Sequence, residues 1–136
     1  MVSSTPLSLD SIRSTLATTS LGHALYLHQD LPSTNAEALS LAQNGAAHGT
    51  VVVAEHQSSG YGRHGRVWFS PSGLNIYCSV IIRGMGQSLS LSQWLSWVPL
   101  VSALAVTEAT QEVAAVSLSL KWPNDLLLHE RKVGGI

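Results

Sequence analysis

The sequence is poor in charge and in cysteine. Of its 136 residues 11% are charged, the formal net charge is −1, and Cys78 is the single cysteine. One cysteine excludes an intrachain disulfide, and the six histidines show no zinc-like spacing, so we expect no structural metal. A nearly neutral chain has no overall attraction for nucleic acid or for a membrane surface. With 45% hydrophobic residues, the composition instead indicates one globular domain.

The sequence also lacks a segment suited to a membrane. Residues 89–106 carry no charge, but serines, a glutamine and Pro99 interrupt them. A bilayer span needs about 20 predominantly apolar residues. No positively charged leader with an apolar centre stands at the N-terminus. We therefore expect a soluble, cytoplasmic protein.

The few basic residues that are present are unevenly distributed. Five of the seven fall in two short segments, and both lysines lie in the second segment. Basic residues that served only solubility would be scattered over the chain. The clustering predicts that the two segments share a function; their basic residues are Arg63 and Arg66 in the first, and Lys121, Arg131 and Lys132 in the second.

The first segment is a glycine-rich loop after the apolar run 50–54. Glycines at 60, 62 and 65 are expected to permit positive φ and a close approach of the backbone to a ligand. Successive exposed N–H groups in such a loop can bind an anion. Arg63 and Arg66 add planar, bidentate donors for phosphate or carboxylate. The loop is therefore predicted to bind an anionic group.

Two familiar glycine motifs fit the loop by spacing alone. The dinucleotide fingerprint must open a helix and be followed by an acidic residue about 20 positions on. Residues 67–73 contain Pro71 and Gly73 and cannot begin a helix, and no acidic residue lies between Glu55 and Glu108. The protein-kinase loop is excluded as well, because the chain lacks the His-Arg-Asp and Asp-Phe-Gly motifs.

The hydrophobic pattern predicts alternating helices and strands in one α+β domain. Tight turns between strands favour antiparallel pairing, so we expect a mixed, largely antiparallel sheet with helices on one face. Thr34 and Glu37 have capping-box spacing, and Trp94 and Trp97 are expected in the core. The predicted helices are 8–17, 34–45 and 90–112 with a bend at Pro99; the strands are 24–29, 50–57, 74–83, 116–121, 126–129 and one from Val133; the turns are 84–86, 122–125 and 130–131.

Three blocks of the sequence together resemble the biotin protein ligase family. They are Gln57-x-x-Gly60-x-Gly62-Arg63-x-Gly65-Arg66-x-Trp68, then Lys121-Trp122-Pro123-Asn124-Asp125 followed by Arg131-Lys132-Val133-Gly134-Gly135-Ile136, and the helix start Ser33-Thr34-Asn35. The resemblance covers the chain from residue 33 to its end. It implies a fold similar to the catalytic domain of class II aminoacyl-tRNA synthetases.

The resemblance implies ATP-dependent activation of biotin. The biotin carboxylate would attack the α-phosphate and release pyrophosphate, and a lysine of a biotin carboxyl carrier protein would then attack the biotinyl-5′-adenylate. The first step brings two anions together. At about 4 Å and an effective dielectric near 20, each well-placed cation is worth roughly 4 kcal/mol against that repulsion. The basic residues, helped by Mg²⁺, match this need.

The resemblance also assigns roles to individual residues. Lys132 and Arg63 would bridge the carboxylate and the α-phosphate, Lys121 and Arg66 would hold the outer phosphates, and Trp68 would stack on adenine. Asp125 is also the candidate Mg²⁺ ligand. The biotin-binding set is Ser33, Thr34, Asn35, Gln57, Gly60, Tyr61, Lys132, Gly134 and Gly135; the nucleotide-binding set is Gly62, Arg63, His64, Gly65, Arg66, Trp68, Asn124 and Asp125.

The sequence departs from the family pattern in two places. Tyr61 stands where the loop usually has arginine, so one cation near the adenylate is missing. Relatives continue past the Gly-Gly-Ile stretch with further strands and usually a small C-terminal β-barrel. We therefore expect residues 1–136 to be the N-terminal part of the catalytic domain, with weak or no ligase activity alone. About 20 residues precede the first strand, so we expect no helix-turn-helix domain and no repressor role.

Three alternatives remain open from the sequence, and a homodimer is left open as well. A lipoate–protein ligase shares the fold and the adenylation chemistry, although the arginine-bearing glycine loop and the Lys121–Asp125 block favour biotin. A nucleic-acid-binding module would use Arg63, Arg66 and the aromatic residues, but the chain is not basic. A degenerate, inactive fragment would keep the motifs without activity.

Overall fold

The fold was obtained as a computed structural model that describes residues 5–84 and 90–136. The chain divides into two compact units, Met1–Arg83 and Gly84–Ile136. The turn predicted for residues 84–86 lies outside the described residues except for Gly84. Among the described residues, no helix is both long enough and apolar enough to cross a bilayer.

The first unit is a three-stranded mixed sheet. Strands β1 and β2 are parallel, with helix α2 as their crossover, and β2 and β3 are antiparallel. A parallel pair requires such a crossover, whereas a tight turn cannot make one. The α+β class and the mixed sheet are confirmed. The elements are α1 (Leu9–Thr15), β1 (Leu25–Leu31), α2 (Thr34–Gln43), β2 (Val51–Gln57) and β3 (Tyr77–Val80).

The N-cap of helix α2 lies one residue before Thr34, the position that the capping-box spacing suggested. The N-cap is Ser33, whose hydroxyl accepts the Ala36 N–H at 3.5 Å, and Thr34 is already the first helical residue. The capping role expected of Thr34 is therefore wrong, because Ser33 is the N-cap and the Thr34 N–H and hydroxyl both donate to Gln57 Oε1. The helix ends as predicted, with Asn44 as C-cap and Gly45 at φ 89°.

The core of the first unit lies between α2 and the sheet. Ala38 on the helix packs with Val52 and Ile81, and Val52 is fully buried. Beside this core, the Arg83 guanidinium donates to the carbonyl oxygens of Ala42 and Ala46 at the end of α2. A cation is favourable there because the last helix carbonyls lack intrahelical partners. Arg83, which lies outside the two basic segments, thus serves the fold.

The second unit is a helix followed by an antiparallel meander. Helix α3 begins with a capping box between Ser90 and Gln93, runs through Pro99 and packs against β4 and β5. The strands β4, β5 and β6 pair in sequence order, so the described strands form two three-stranded sheets, where the sequence suggested one. The elements are α3 (Leu91–Ala114), β4 (Ser119–Lys121), β5 (Asp125–Leu128) and β6 (Arg131–Gly135).

Much of the apolar face of α3 is exposed. Trp94 is half-buried and Trp97 is 60% exposed, so the core position expected for Trp97 is wrong. Ala103 is the α3 residue that is fully buried among those described. A helix of 24 residues spans about 36 Å, whereas a four-residue strand spans about 13 Å. The short strands of this unit therefore cover only part of the helix.

Two strands are shorter than the pattern predicted. The apolar run 74–83 forms a strand only at Tyr77–Val80, and 116–121 only at Ser119–Lys121. Leu74 and Ile76 are largely exposed. Before β3, Asn75 Nδ2 donates to the Tyr77 hydroxyl, which donates to the Pro71 carbonyl oxygen at 2.9 Å.

The hairpin between β5 and β6 carries backbone strain that a substitution should relieve. Its two loop residues, His129 and Glu130, have φ of 47° and 64°, the pattern of a type I′ turn, which prefers Asn-Gly. A left-handed non-glycine residue costs about 1–2 kcal/mol. Glu130→Gly should therefore raise the free energy of unfolding by about 0.5–1 kcal/mol in urea titrations, after the entropy cost of glycine. Glu130→Val should lower it, and a destabilised Glu130→Gly variant would contradict this turn geometry.

Candidate active site

Thr34 and Gln57, both predicted to bind biotin, form a hydrogen-bonded pair. Gln57 ends β2 and Thr34 begins α2. The Thr34 N–H donates to Gln57 Oε1 at 2.8 Å, and the Thr34 hydroxyl donates to the same oxygen at 3.1 Å. The Ser58 N–H donates to the Leu31 carbonyl at 2.9 Å and thereby holds the end of β2 beside the start of α2. The first unit thus brings the two residues together although 23 positions separate them.

Two serines outside the predicted set hold this pair from both sides. Ser70 is 4% exposed, and its hydroxyl accepts an N–H of Gln57 Nε2 at 3.2 Å. Ser79, on β3, lies 2.9 Å from the Thr34 hydroxyl and 2.7 Å from the side-chain amide of Asn35. No motif marked either serine, because the strand register and the course of the loop bring them here.

Gly60 is buried against this polar cluster. A Cβ atom at Gly60 would lie 2.6 Å from Ser70 Oγ, 3.0 Å from Gln57 Nε2 and 3.1 Å from the Trp68 carbonyl oxygen. These distances are shorter than van der Waals contact. Glycine is therefore required at position 60 because a side chain would have no space there. The backbone conformation does not require it, because the φ of Gly60 is not positive.

The glycine loop folds back on itself as a small hairpin. Tyr61 and Val67 form an antiparallel bridge, and Trp68 N–H donates to the Gly60 carbonyl at 2.8 Å. Inside it, Gly62 N–H donates to the Arg66 carbonyl at 2.7 Å. The tip is a short 3₁₀ turn, Arg63–Gly65, which is the loop structure that the sequence predicted in place of a nucleotide-fold helix.

The three glycines of the loop have different roles from those expected. Gly65 alone among them has positive φ, at 70°, and His64 beside it shares that region at φ 60°. The expected positive φ at Gly60 and Gly62 is wrong. A Cβ at Gly62 would meet its nearest neighbours at 3.7 and 3.9 Å, so neither backbone conformation nor space demands glycine there.

The basic side chains of the loop are accessible to a ligand. Arg63, His64 and Arg66 are exposed at the tip, whereas Trp68 is half-buried at the base. Tyr61 is 53% exposed. Exposed guanidinium groups on such a hydrogen-bonded turn can donate to phosphate oxygens without a rearrangement of the loop backbone. This arrangement suits the predicted nucleotide-binding role.

In the second unit, Lys132 is held by Asp125. Lys132 Nζ donates to Asp125 Oδ1 at 2.7 Å, across the β5–β6 pair. The two side chains are 41% and 26% exposed, so solvent screening limits the stability of this ion pair to about 1 kcal/mol or less. Its main effect is to place the ammonium group. Lys121 is exposed at the end of β4, and its Cα partner is Asp125.

Gly134 and Gly135, close to Lys132 in the sequence, lie against other residues of the second unit. A Cβ at Gly134 would lie 3.2 Å from Leu126 Cδ1, and Leu126 is a buried core residue. A Cβ at Gly135 would lie 3.5 Å from Lys132 Nζ. Asn124, also predicted to bind nucleotide, accepts the Ile136 N–H on its carbonyl at 2.9 Å. A side chain at Gly134, in the predicted biotin-binding set, would therefore press on Leu126.

The predicted site residues form two separate groups. Residues 33–35, Gln57 and the glycine loop come together in the first unit, and the Lys121–Gly135 group comes together in the second. The meeting of Arg63 with Lys132, on which the predicted chemistry depends, stays a prediction.

A magnesium site made by protein side chains alone does not fit the described residues. They contain no group of three His, Cys, Asp or Glu side chains that could hold a metal ion. Asp125, the predicted Mg²⁺ ligand, is engaged by Lys132 at 2.7 Å. Magnesium is commonly bound through one or two carboxylates together with substrate phosphates. A magnesium ion at this chain would therefore depend on the nucleotide phosphates for most of its ligands.

Comparison with known proteins identifies the class of this fold and then its family. The fold is that of solved biotin protein ligases: the enzyme from Aquifex aeolicus in complex with biotin and ATP superimposes with a TM-score of 0.69 at 34% identity, over 84% of this chain and 45% of that one. The Leishmania major enzyme in complex with biotinyl-5-AMP superimposes with a TM-score of 0.68 at 28% identity, over 84% of this chain and 51% of that one.

The profile described as the biotin/lipoate A/B protein ligase family matches residues 27–136, and the chain belongs to this family. The bifunctional ligase/repressor BirA of Bacillus subtilis is 39% identical over 130 residues, 96% of this chain and 39% of the relative. The biotin–[acetyl-CoA-carboxylase] ligase of Mycobacterium tuberculosis is 41% identical over 108 residues, which are 76% of this chain and 40% of the relative. The chain thus spans about two fifths of these relatives, and the resemblance inferred from its motifs is confirmed.

Proposed function

We propose that this chain carries the biotin- and ATP-binding residues of a biotin protein ligase. The observation that supports this most directly is the part-buried Thr34–Gln57 pair, against which Gly60 of the glycine loop packs. It offers fixed hydrogen-bonding groups for the ureido ring, and the glycine loop that follows Gln57 in the chain carries exposed arginines for phosphate. Relatives named as biotin ligases, and solved relatives with biotin, ATP or biotinyl-5-AMP bound, support the same assignment.

In the proposed first step, a carboxylate oxygen of biotin attacks the α-phosphorus of ATP. The new P–O bond forms as the bond to the β-phosphate breaks and pyrophosphate leaves. Lys132 and Arg63 neutralise the carboxylate and α-phosphate, and Lys121 and Arg66 hold the leaving phosphates, because each cation offsets the repulsion between like charges. Mg²⁺ bound together with the nucleotide would supply further positive charge beside the phosphates.

In the proposed second step, a lysine amine of a biotin carboxyl carrier protein attacks the carbonyl carbon of the adenylate. The amide bond forms and AMP leaves. The uncharged Tyr61 at the usual arginine position leaves one cation fewer to hold the adenylate, so we expect the intermediate to be held less tightly. We place this reaction in the cytoplasm.

Lipoate is the second candidate substrate, because the matching family profile includes lipoate ligases as well. The two acids differ in the head group that Thr34 and Gln57 would face: a ureido ring with donors and an acceptor, or an apolar dithiolane. A polar, hydrogen-bonded pair at that position favours biotin.

The proposal is tested by ATP–pyrophosphate exchange and by calorimetry on this chain and on the full-length gene product. We expect biotin to support exchange in the full-length protein and lipoate neither to support it nor to compete. We expect the 136-residue chain to bind biotin with weak or no exchange. Exchange that depends on lipoate, or an absence of biotin binding to both proteins, would reject the assignment.

A further inference from the structure

Ser79 has a hydroxyl that no substrate role explains. It lies on β3 directly opposite Val52, is 8% exposed and faces the start of α2. Its Oγ lies 2.9 Å from Thr34 Oγ1 and 2.7 Å from the Asn35 amide. A hydroxyl has one hydrogen, so these two contacts cannot both be donated by Ser79.

Counting hydrogens gives the contacts one direction. The Thr34 hydroxyl uses its hydrogen on Gln57 Oε1 at 3.1 Å, so Ser79 must donate to Thr34. The Asn35 atom at 2.7 Å is placed as Oδ1, an acceptor; because amide oxygen and nitrogen have the same shape, we assign the Asn35 amide in the turned-over orientation, in which Nδ2 donates to Ser79 Oγ. The result is a relay from Asn35 through Ser79 and Thr34 to Gln57.

The relay continues beyond Gln57 and determines what that side chain offers. Gln57 Oε1 accepts both the N–H and the hydroxyl of Thr34, which occupies its two lone pairs. One N–H of Gln57 Nε2 donates to Ser70, whose hydroxyl donates to the Trp68 carbonyl at 3.2 Å. The second N–H of Nε2 has no acceptor in the part of the chain that the structure describes. Gln57 therefore presents a donor and withholds its acceptor.

We propose that Ser79 is a positioning residue that fixes the amide of Gln57 as a hydrogen-bond donor to the ureido oxygen of biotin. This inference rests on the proposed function. Without the Ser79 hydroxyl, the Thr34 hydroxyl can rotate away from Gln57. Gln57 Oε1 then keeps only the bond from the Thr34 N–H, so one of its two lone pairs becomes available to the ligand. Ser79 would thus set the polarity of the pocket without contacting the ligand.

The test compares biotin with 2-iminobiotin, in which a protonated imino group replaces the ureido oxygen at neutral pH. The wild-type chain should prefer biotin, because two donors would face each other in the imino complex. Ser79→Ala should raise the Kd for biotin about tenfold and should lower the preference for biotin over iminobiotin by a similar factor. Both are measured by calorimetry.

A matched control separates positioning from a general loss of packing. Thr50 is 1% exposed, and its hydroxyl donates to the Ala47 carbonyl at 2.8 Å, outside the relay. Thr50→Val should leave the preference ratio unchanged. An unchanged ratio in Ser79→Ala, or an equal change in Thr50→Val, would overturn the positioning role and leave the proposed function standing. If neither the wild-type chain nor the full-length gene product binds either ligand, the proposed function fails and this inference fails with it.

Discussion

Replacing Lys132 with alanine is expected to slow biotin-dependent ATP–pyrophosphate exchange by about 10²–10³-fold. The substitution removes a compact cation from the position where a carboxylate and a phosphate would meet. At about 4 Å and an effective dielectric near 20, that charge is worth roughly 4 kcal/mol, which corresponds to about three decades in rate. The Lys132–Asp125 pair is partly exposed, so the loss in folding free energy should be only about 1 kcal/mol or less.

The measurement requires a form of the protein whose unmodified sequence exchanges pyrophosphate. Arg131→Ala is the matched control, because Arg131 is a neighbouring exposed cation on the same strand to which no individual substrate contact is assigned. Arg63→Ala should resemble Lys132→Ala. Full exchange by the Lys132→Ala protein would show that the assignment of this lysine is wrong.

The elements near the proposed site were predictable because their signals are local. The β-branched run before Gln57 predicts β2, and Asn44-Gly45 predicts the end of α2, since both depend on residues adjacent in sequence. The same holds for the glycine loop, which Pro71 and Gly73 keep from continuing as a helix. The three motif blocks taken together identified the family, which none of the local patterns identified alone.

The supporting residues were not predictable because they depend on register. Ser79 reaches Thr34 only because β3 pairs with β2 so that Ser79 lies opposite Val52, and a slip of one residue would turn it to the other face. The core position predicted for Trp97 was wrong for a related reason. Helical spacing shows which residues share a face, but the lengths of the strands decide how much of that face is covered.

Gly60→Ala is expected to weaken biotin binding about 10- to 100-fold and to lower the free energy of unfolding by about 1–3 kcal/mol. The new Cβ would lie 2.6 Å from Ser70 Oγ and 3.0 Å from Gln57 Nε2. Ser70 is 4% exposed and hydrogen-bonded to both Gln57 and the Trp68 carbonyl, so it has no alternative position that keeps its bonds. The clash should therefore displace Gln57, the side chain proposed to contact the ureido ring.

Two further variants show whether the clash, and not the loss of a glycine as such, causes the defect. Gly62→Ala adds the same methyl group to the same loop at 3.7 Å or more from its neighbours, and it should leave the unfolding free energy within about 0.5 kcal/mol. Ser70→Ala combined with Gly60→Ala removes the oxygen at 2.6 Å, so the pair should destabilise by at least about 1 kcal/mol less than the sum of the single changes. Additive effects, or equal destabilisation by Gly62→Ala, would mean that Gly60 is not the residue through which the glycine loop packs against the pair proposed to bind biotin.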